Sequence, residues 1–477
     1  MNGTIHRRLL LAGTISLAAL FSCPPCLADA AQGEAASQDQ ASRMRDLERR
    51  IAELEAALKQ GPDTASRAEL ERRLDLIAAE LEKLRVGDAA KPRELKSMYG
   101  LGPAASKVYT QEHGVSVGGY GEALLQDFAA TSDDGTRTGE DTNFDFLRAV
   151  LYFGYKFNDR IVFNSEIEYE HATTGEGAEL KGEISLEFAT LDFMTRKEAN
   201  VRAGLVLLPV GFINEMHEPP TFLGARRPDV ERMILPSTWR EIGAGGFGDM
   251  GPFSWRAYVV NGLDAEGFSG EDGIREGRQD GSEASARDLA FTARADYNGL
   301  PGLLVGASFF QGDSGQGAED AAGDVIDGRV TLYDVHAQYV SHGFQFRALW
   351  TSVQVDDAGT INTDLLLLDP NDPLQVTQGV GSRMLGYYGE VGYDVLSALG
   401  ESSRQALIPF VRLERYNTQD NAAAGFESDG ANDVRLTTYG VAYKPISQLS
   451  IKLEFQDYDR ADGTGTDQIN AGIGYLF

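Results

Sequence analysis

The chain has 477 residues, a formal net charge of −29 and a sequence pI near 4.6, with 43 lysines and arginines against 72 acids. So acidic a balance excludes a nucleic-acid binder, which needs clustered cations to displace counterions from phosphates. The only cysteines, Cys23 and Cys26, sit just behind an N-terminal apolar run, so the rest of the chain has neither disulfide nor thiolate metal site.

Residues 1–28 read as a secretory signal. Arg7 and Arg8 precede the apolar run Leu9 to Phe21, which is short for a membrane helix, and small residues up to Ala28 supply a cleavage site. The rival is a lipoprotein cut before Cys23, where Phe21 is bulky at a position that usually takes a small residue; the plain signal is favoured. Both cysteines leave with it. Residues 29–40 follow as a disordered linker.

Residues 41–86 are rich in Ala, Glu, Leu and Arg. Met44, Leu47, Ile51, Leu54 and Leu58 recur at three- and four-residue steps, and Leu70, Leu74, Ile77, Leu81 and Leu84 resume the pattern. Gly61 and Pro62 end or kink the helix between them. The seam fits a helical hairpin folded on itself or an intermolecular coiled coil. Blocks this short are marginal as lone helices, which favours the coiled coil, periplasmic in an exported protein and able to contact cell wall or a periplasmic partner. Residues 87–114 read as a linker.

From Val115 to Phe477 the period changes to two. Sixteen segments read as strands, most of ten residues or more, close to the roughly 9–11 that a tilted strand needs to cross a bilayer. In the second, Leu147, Ala149, Leu151, Phe153, Tyr155 and Phe157 share one side, and Arg148, Tyr152, Gly154 and Lys156 the other. The fifth reads as Val201 to Glu215. Connectors alternate short ("RKEAN", "SHG") and long ("AATSDDGTRTGED", "EGFSGEDGIREGRQDGSEASA"). This is the pattern of a transmembrane barrel, with turns at one end and loops at the other. The chain stops on "QINAGIGYLF", an apolar strand with no polar tail. Lipid cannot satisfy an open sheet edge, so this strand is expected to pair with the first and close the set. The fold class is all-β: a 16-stranded antiparallel transmembrane β-barrel preceded by an α-helical coiled-coil segment.

"VSVGGYGEALL", "FDFLRAVLYFGYKFNDRIVFNSEIEYEHA" and "VRAGLVLLPVGFINEMHEPPTFLGARRPDVERMILPSTWREIGAGGFGD" resemble the phosphate-selective porin O and P family and its wider relatives, best between Phe144 and Asp249. The resemblance implies a trimeric sixteen-stranded channel in the bacterial outer membrane, passing small hydrophilic solutes. It also implies a third long loop, about Met216 to Arg240, folded inward to narrow the pore. Phe477 resembles the assembly signal of such proteins, and some relatives carry a periplasmic coiled coil before the barrel.

Anion selection needs guanidinium or ammonium groups to replace hydration. By alternation Arg148, Arg256, Arg294, Arg347, Arg412 and Lys452 point inward, and the third loop adds Arg226, Arg227, Arg232 and Arg240. Against them stand Glu166, Glu168, Glu170, Glu187, Asp296, Asp334, Glu414 and Glu454, so the family's basic ladder and lysine cluster are not plainly matched. Any one inward arginine reads first as half of a wall salt bridge. "GARRPDVERM", with several cations in one short loop, is the stronger signal, although Asp229 and Glu231 can neutralise it. The expectation is a weakly anion-preferring or mixed-selectivity channel, with phosphate or organic anions as candidate solutes. The alternative is a structural protein tethering the membrane to the cell wall through the coiled coil.

Enzyme signals are poor. Six histidines are scattered without ligand spacing, and "GAGGFG" at Gly243 to Gly248 lacks the helix that a nucleotide loop requires. "EDGIREGRQDGSE" reads as a solvated surface loop rather than a calcium site. No cofactor or metal is expected.

Overall fold

The computed structural model describes residues 95–173, 182–399 and 405–477, and, further upstream, helical residues at 45–47, 49, 50, 52–54, 56 and 73. The signal, the first linker and most of the heptad segment 41–86 lie outside the described residues. The chain divides into two units, Met1–Glu94 and Leu95–Phe477. In the first, Arg50 pairs with Asp46 one helical turn earlier at 3.1 Å.

The second unit is a closed barrel of sixteen strands. They are β1 (Gly114–Phe128), β2 (Asn143–Asn158), β3 (Ile161–Glu170), β4 (Ile184–Arg196), β5 (Ala199–Leu207), β6 (Arg240–Met250), β7 (Phe253–Asn261) and β8 (Leu289–Tyr297). The second half comprises β9 (Leu303–Gly312), β10 (Val330–Ser341), β11 (Phe344–Val355), β12 (Arg383–Tyr393), β13 (Ala406–Asn421), β14 (Asp433–Ile446), β15 (Leu449–Arg460) and β16 (Gln468–Leu476). Each strand pairs antiparallel with its sequence neighbour, and β16 pairs with β1 from Tyr120↔Leu476 to Phe128↔Gln468. Phe477 closes the seam: its N–H donates to Gly119 O at 2.9 Å and its carbonyl accepts from Gly119 N at 3.1 Å. A Cβ on Gly119 would lie 2.9 Å from the Phe477 ring and 2.3 Å from Val150 O, so the seam requires glycine there.

The period-2 pattern sets the two faces. Leu151, Phe153, Tyr155, Ile451, Leu453, Ile473 and Tyr475 are exposed on the outside, while their alternates Val150, Tyr152, Ser450, Lys452, Glu454 and Asn470 are buried inside. An apolar surface around a closed barrel with no free edge is suited to hydrocarbon rather than water. The "GAGGFG" run lies within β6.

Three stretches differ from the sequence expectation. β5 ends at Leu207 rather than continuing to Glu215: Pro209 withholds a ladder donor, and Val210, Phe212 and Ile213 turn into the lumen, where all three are buried. The loop between β7 and β8 is not a wholly solvated surface loop, because Leu263, Phe268 and Ile274 anchor it in the main apolar cluster. The end of the second linker, from Leu95, is folded into the barrel at the short-turn end. Its single 3₁₀ turn, Ala105–Thr110, buries Ala105, Ser106 and Val108.

At the long-loop end, Asp467 accepts from Tyr458 N at 3.2 Å between β15 and β16. Burial, with Asp457 and Asp133 nearby, pushes its carboxyl up to about 6 against the pull of that N–H. A carboxyl raised in the folded state favours folding fully below its unfolded value, and that contribution is lost as pH rises through about 6. Because the side chain is half exposed, solvent screening leaves about 1 kcal/mol. Asp467→Asn is expected to remove this pH dependence. Hydrogen exchange of residues 461–467 between pH 4 and 7 checks it: protection falls with pH in the parent, beyond the intrinsic rate change, and holds in the variant.

Candidate functional site

The connection from β5 to β6, residues 208–239, enters the lumen. Pro209, Pro219, Pro220, Pro228 and Pro236 keep it from pairing as a strand. Its ends are clipped together by Asn214, whose amide donates to Leu208 O at 2.7 Å and Trp239 O at 2.9 Å and accepts from Trp239 N at 2.6 Å. Inside it a short helix, α1 (Asp229–Met233), carries Glu231. Glu231 Oε2 accepts from Phe212 N and Ile213 N, both at 2.7 Å, and Oε1 accepts from the Tyr388 hydroxyl at 2.6 Å.

Inward polar groups of the wall hold the same loop. Lys452 Nζ donates to Pro219 O and Gly224 O at 2.7 Å and lies 3.7 Å from the centre of the Phe222 ring. Glu454 accepts from Ala225 N at 2.8 Å and Arg226 N at 3.2 Å; Glu414 accepts from Val230 N at 3.2 Å. Arg347 donates to Thr221 O at 3.1 Å, Lys444 to Pro220 O at 2.8 Å, and Arg294 to Gly211 O. Arg294, Arg347 and Lys452, selected from the sequence as pore-lining, therefore grip loop carbonyls.

The other wall cations are paired with acids. Arg148 lies 3.4 Å from Glu122 and 3.3 Å from Glu168; Arg256 lies 3.2 Å from Glu215 and 2.7 Å from Asp296. Arg412, fully buried, lies 3.2 Å from Glu390 and 2.6 Å from Glu414. Arg240, counted from the sequence with the loop, is the first residue of β6 and pairs with Glu187 at 3.0 Å and Asp280 at 3.6 Å. Most inward cations are thus committed to the barrel's own structure.

The loop arginines stand apart. Arg226, Arg227 and Arg232 line a cavity of about 320 Å³ with Arg148, Ser237, Thr238 and Arg275, and two carboxylates, Glu122 and Glu170, line it as well. Arg227 Nε and Nη2 are out of solvent with no hydrogen-bond partner among the described residues. Arg232 pairs with Asp229 at 3.3 Å. Burial opposes ionisation of Asp229, but Arg232 and then Arg226 hold its carboxyl below the ordinary range. Arg275 came from the loop that read as solvated surface. Burial first, then its neighbours Arg278 and Arg232, lower its guanidinium to about 10 against the pull of Glu276, 3.5 Å away. It donates to Arg232 O at 2.8 Å and Ser237 O at 3.1 Å. The one sequence signal for it was Ile274, an apolar residue in an otherwise polar run. Among the described residues no group of three or more His, Cys, Asp or Glu is placed to hold a metal ion.

A sixteen-stranded barrel with an apolar exterior and a polar, loop-filled interior is the class of protein defined here. The chain belongs to the family of an uncharacterized protein of Aquifex aeolicus (strain VF5), to which it is 36% identical over 397 residues, 83% of this chain and 87% of the relative. No family model matches the chain. Among solved structures it is similar to a loop-deletion mutant of OmpT, an outer membrane protein of Vibrio cholerae (13% identity, TM-score 0.47, 77% of this chain and 100% of that one). It is also similar to an anion-selective porin from Comamonas acidovorans (10% identity, TM-score 0.47, 77% and 100%). The barrel assignment rests on the strand pairing itself.

Proposed function

We propose that the protein is an outer-membrane porin, a trimer whose protomers each enclose a channel for passive diffusion of small hydrophilic solutes, with a preference for anions such as phosphate or organic acids. The observation that carries the preference is Arg227, with two guanidinium nitrogens buried and, among the described residues, unpartnered, in a cavity where Arg226, Arg232 and Arg275 outnumber the acids Glu122 and Glu170. Guanidinium groups lining a lumenal cavity offer fixed donors to an oxyanion losing its hydration, and they repel cations. The several cations that share the short run "GARRPDVERM" support the same reading. The ion-paired wall keeps the preference modest, because its arginines and acids offset one another.

Purified protein in planar bilayers, with reversal potentials across a salt gradient, tests this. Stepwise openings in threes and a positive anion preference are expected. Changing Arg226, Arg227 and Arg232 together to alanine is expected to lower the anion-to-cation permeability ratio about three-fold or more while the channel still opens. Conductance with unchanged selectivity would overturn the role of the loop arginines. A folded barrel that never conducts would favour a tether acting through residues 41–86.

A further inference from the structure

We propose that the segment Leu95–Thr110 is a gate at the short-turn mouth of the barrel, seated in the lumen in this structure and withdrawn in a more conductive state. This rests on the channel reading above.

The segment crosses the mouth by one wall and meets the inward loop. Glu218 of the loop, fully buried, accepts from Ala104 N at 2.9 Å and Ala105 N at 3.1 Å, so the loop carboxylate caps the strap's only helical turn. Asn164 of β3 donates to Ala105 O at 2.9 Å. The Tyr109 hydroxyl donates to Asp192 at 2.7 Å and accepts from Arg202 at 3.0 Å, joining a buried ion pair. Tyr99 meets the Phe247 ring of β6 at 5.2 Å. Beyond it a cavity of about 540 Å³ is lined by Ser97 to Gly100 on one side and by Trp255, Asn298 and Leu304 on the other. Across the lumen, Pro219 to Gly224 of the loop are held by Lys452 and Lys444. Strap and loop thus divide this end of the lumen between them.

Two features suit the strap to movement. It is not part of the sheet: among the described residues no backbone–backbone hydrogen bond joins it to a strand, and side-chain bonds, Lys107 to Val117 O at 2.8 Å among them, hold it together with the burial of Leu101, Ala104, Ala105 and Val108. It is also the covalent junction between the upstream unit, Met1–Glu94, and the barrel, so a pull on that unit is delivered to it first. Partner-side glycines show how closely it is seated. A Cβ on Gly154 would lie 2.8 Å from Val108 Cβ, leaving no room for a side chain on the wall beneath the strap.

That proximity supplies the test. Val108→Cys with Gly154→Cys, in a chain whose Cys23 and Cys26 are serine, sets two Cβ atoms 2.8 Å apart, closer than the roughly 3.5–4.5 Å of a disulfide. The strap must therefore lift by about 1 Å for the bond to form, and oxidation then tethers it to the wall while reduction leaves it pushed off. Single-channel recordings of the full chain are compared oxidised and reduced, together with Val108→Glu, whose buried carboxylate should expel the strap. A higher level, about two-fold or more above the ground level, is expected in the parent and the reduced pair, absent in the oxidised pair and dominant in Val108→Glu. Should Val108→Glu fail to fold, the oxidised and reduced comparison decides alone. Equal conductance in oxidised and reduced protein would make the strap a fixed lining and overturn the gate while leaving the porin standing. No conductance in any form would overturn both.

Discussion

Glu231→Ala is expected to release the inward loop, raising single-channel conductance and open-channel noise and lowering stability by about 4 kcal/mol. The carboxylate is buried and takes three short bonds, from Phe212 N, Ile213 N and the Tyr388 hydroxyl. It ties the descending limb of the loop to α1 and both to β12. Alanine leaves two backbone donors and a phenol unpartnered in a dry interior, where each lost partner costs more than the same bond in water. Gly211 marks how tight the arrangement is: it sits at φ +58°, and a Cβ there would lie 2.6 Å from Glu231 Oε2. Glu231→Gln keeps an oxygen for the two N–H groups and is expected to lose much less. Thermal unfolding followed by the heat-dependent shift of the folded band on a gel, with conductance from the same preparations, checks both. Equal loss in Ala and Gln variants would mean that charge rather than hydrogen bonding holds the loop.

The barrel was legible because its physics is local. A strand with lipid on one side and polar packing on the other must alternate, so Leu151 and Phe153 against Arg148 and Tyr152 could be read with no knowledge of partners. The limit of local reading falls at β5. The apolar run continues past Pro209, yet the adjacent Phe212 and Ile213 are both buried, so the two-residue alternation has ended there. Alternation also placed Arg148, Arg256, Arg294, Arg347, Arg412 and Lys452 inside, but could not say what they would meet there. Their partners are set by register and by the inward loop, as with Lys452 and Gly224, 228 residues apart. The strap was illegible for the same reason. "MYGLGPAASK" has no period, and its main restraint, Glu218, is 114 residues from Ala104. Arg275 was hidden by composition: an acidic, glycine-rich run reads as solvated, and only tertiary packing of Phe268 and Ile274 carries it inward.

Arg412→Met is expected to be the most damaging single change in the wall, costing about 3–5 kcal/mol and impairing assembly. The guanidinium is fully buried on β13 between Glu390 of β12 and Glu414 of its own strand. Glu454 of β15 lies near enough to share a neighbour with it: a Cβ on Gly224 would be 2.8 Å from Glu454 Oε2 and 2.9 Å from Arg412 Nη1. Removing the cation leaves three carboxylates facing one another without their counter-charge, which costs more than the original pair contributed. Two of the three also accept loop N–H groups, Glu414 from Val230 and Glu454 from Ala225 and Arg226. Repulsion among them therefore reaches the segment bearing the proposed anion site, and anion preference is expected to fall with stability. Arg412→Met combined with Glu414→Gln removes one of the opposed charges while keeping an acceptor for Val230 N, and is expected to recover about half the lost stability. If the double variant is no more stable than Arg412→Met, the damage comes from the lost volume of the side chain and not from stranded charge. If it recovers stability but not selectivity, the arginine contributes to the field in the lumen directly, beyond its part in holding the loop.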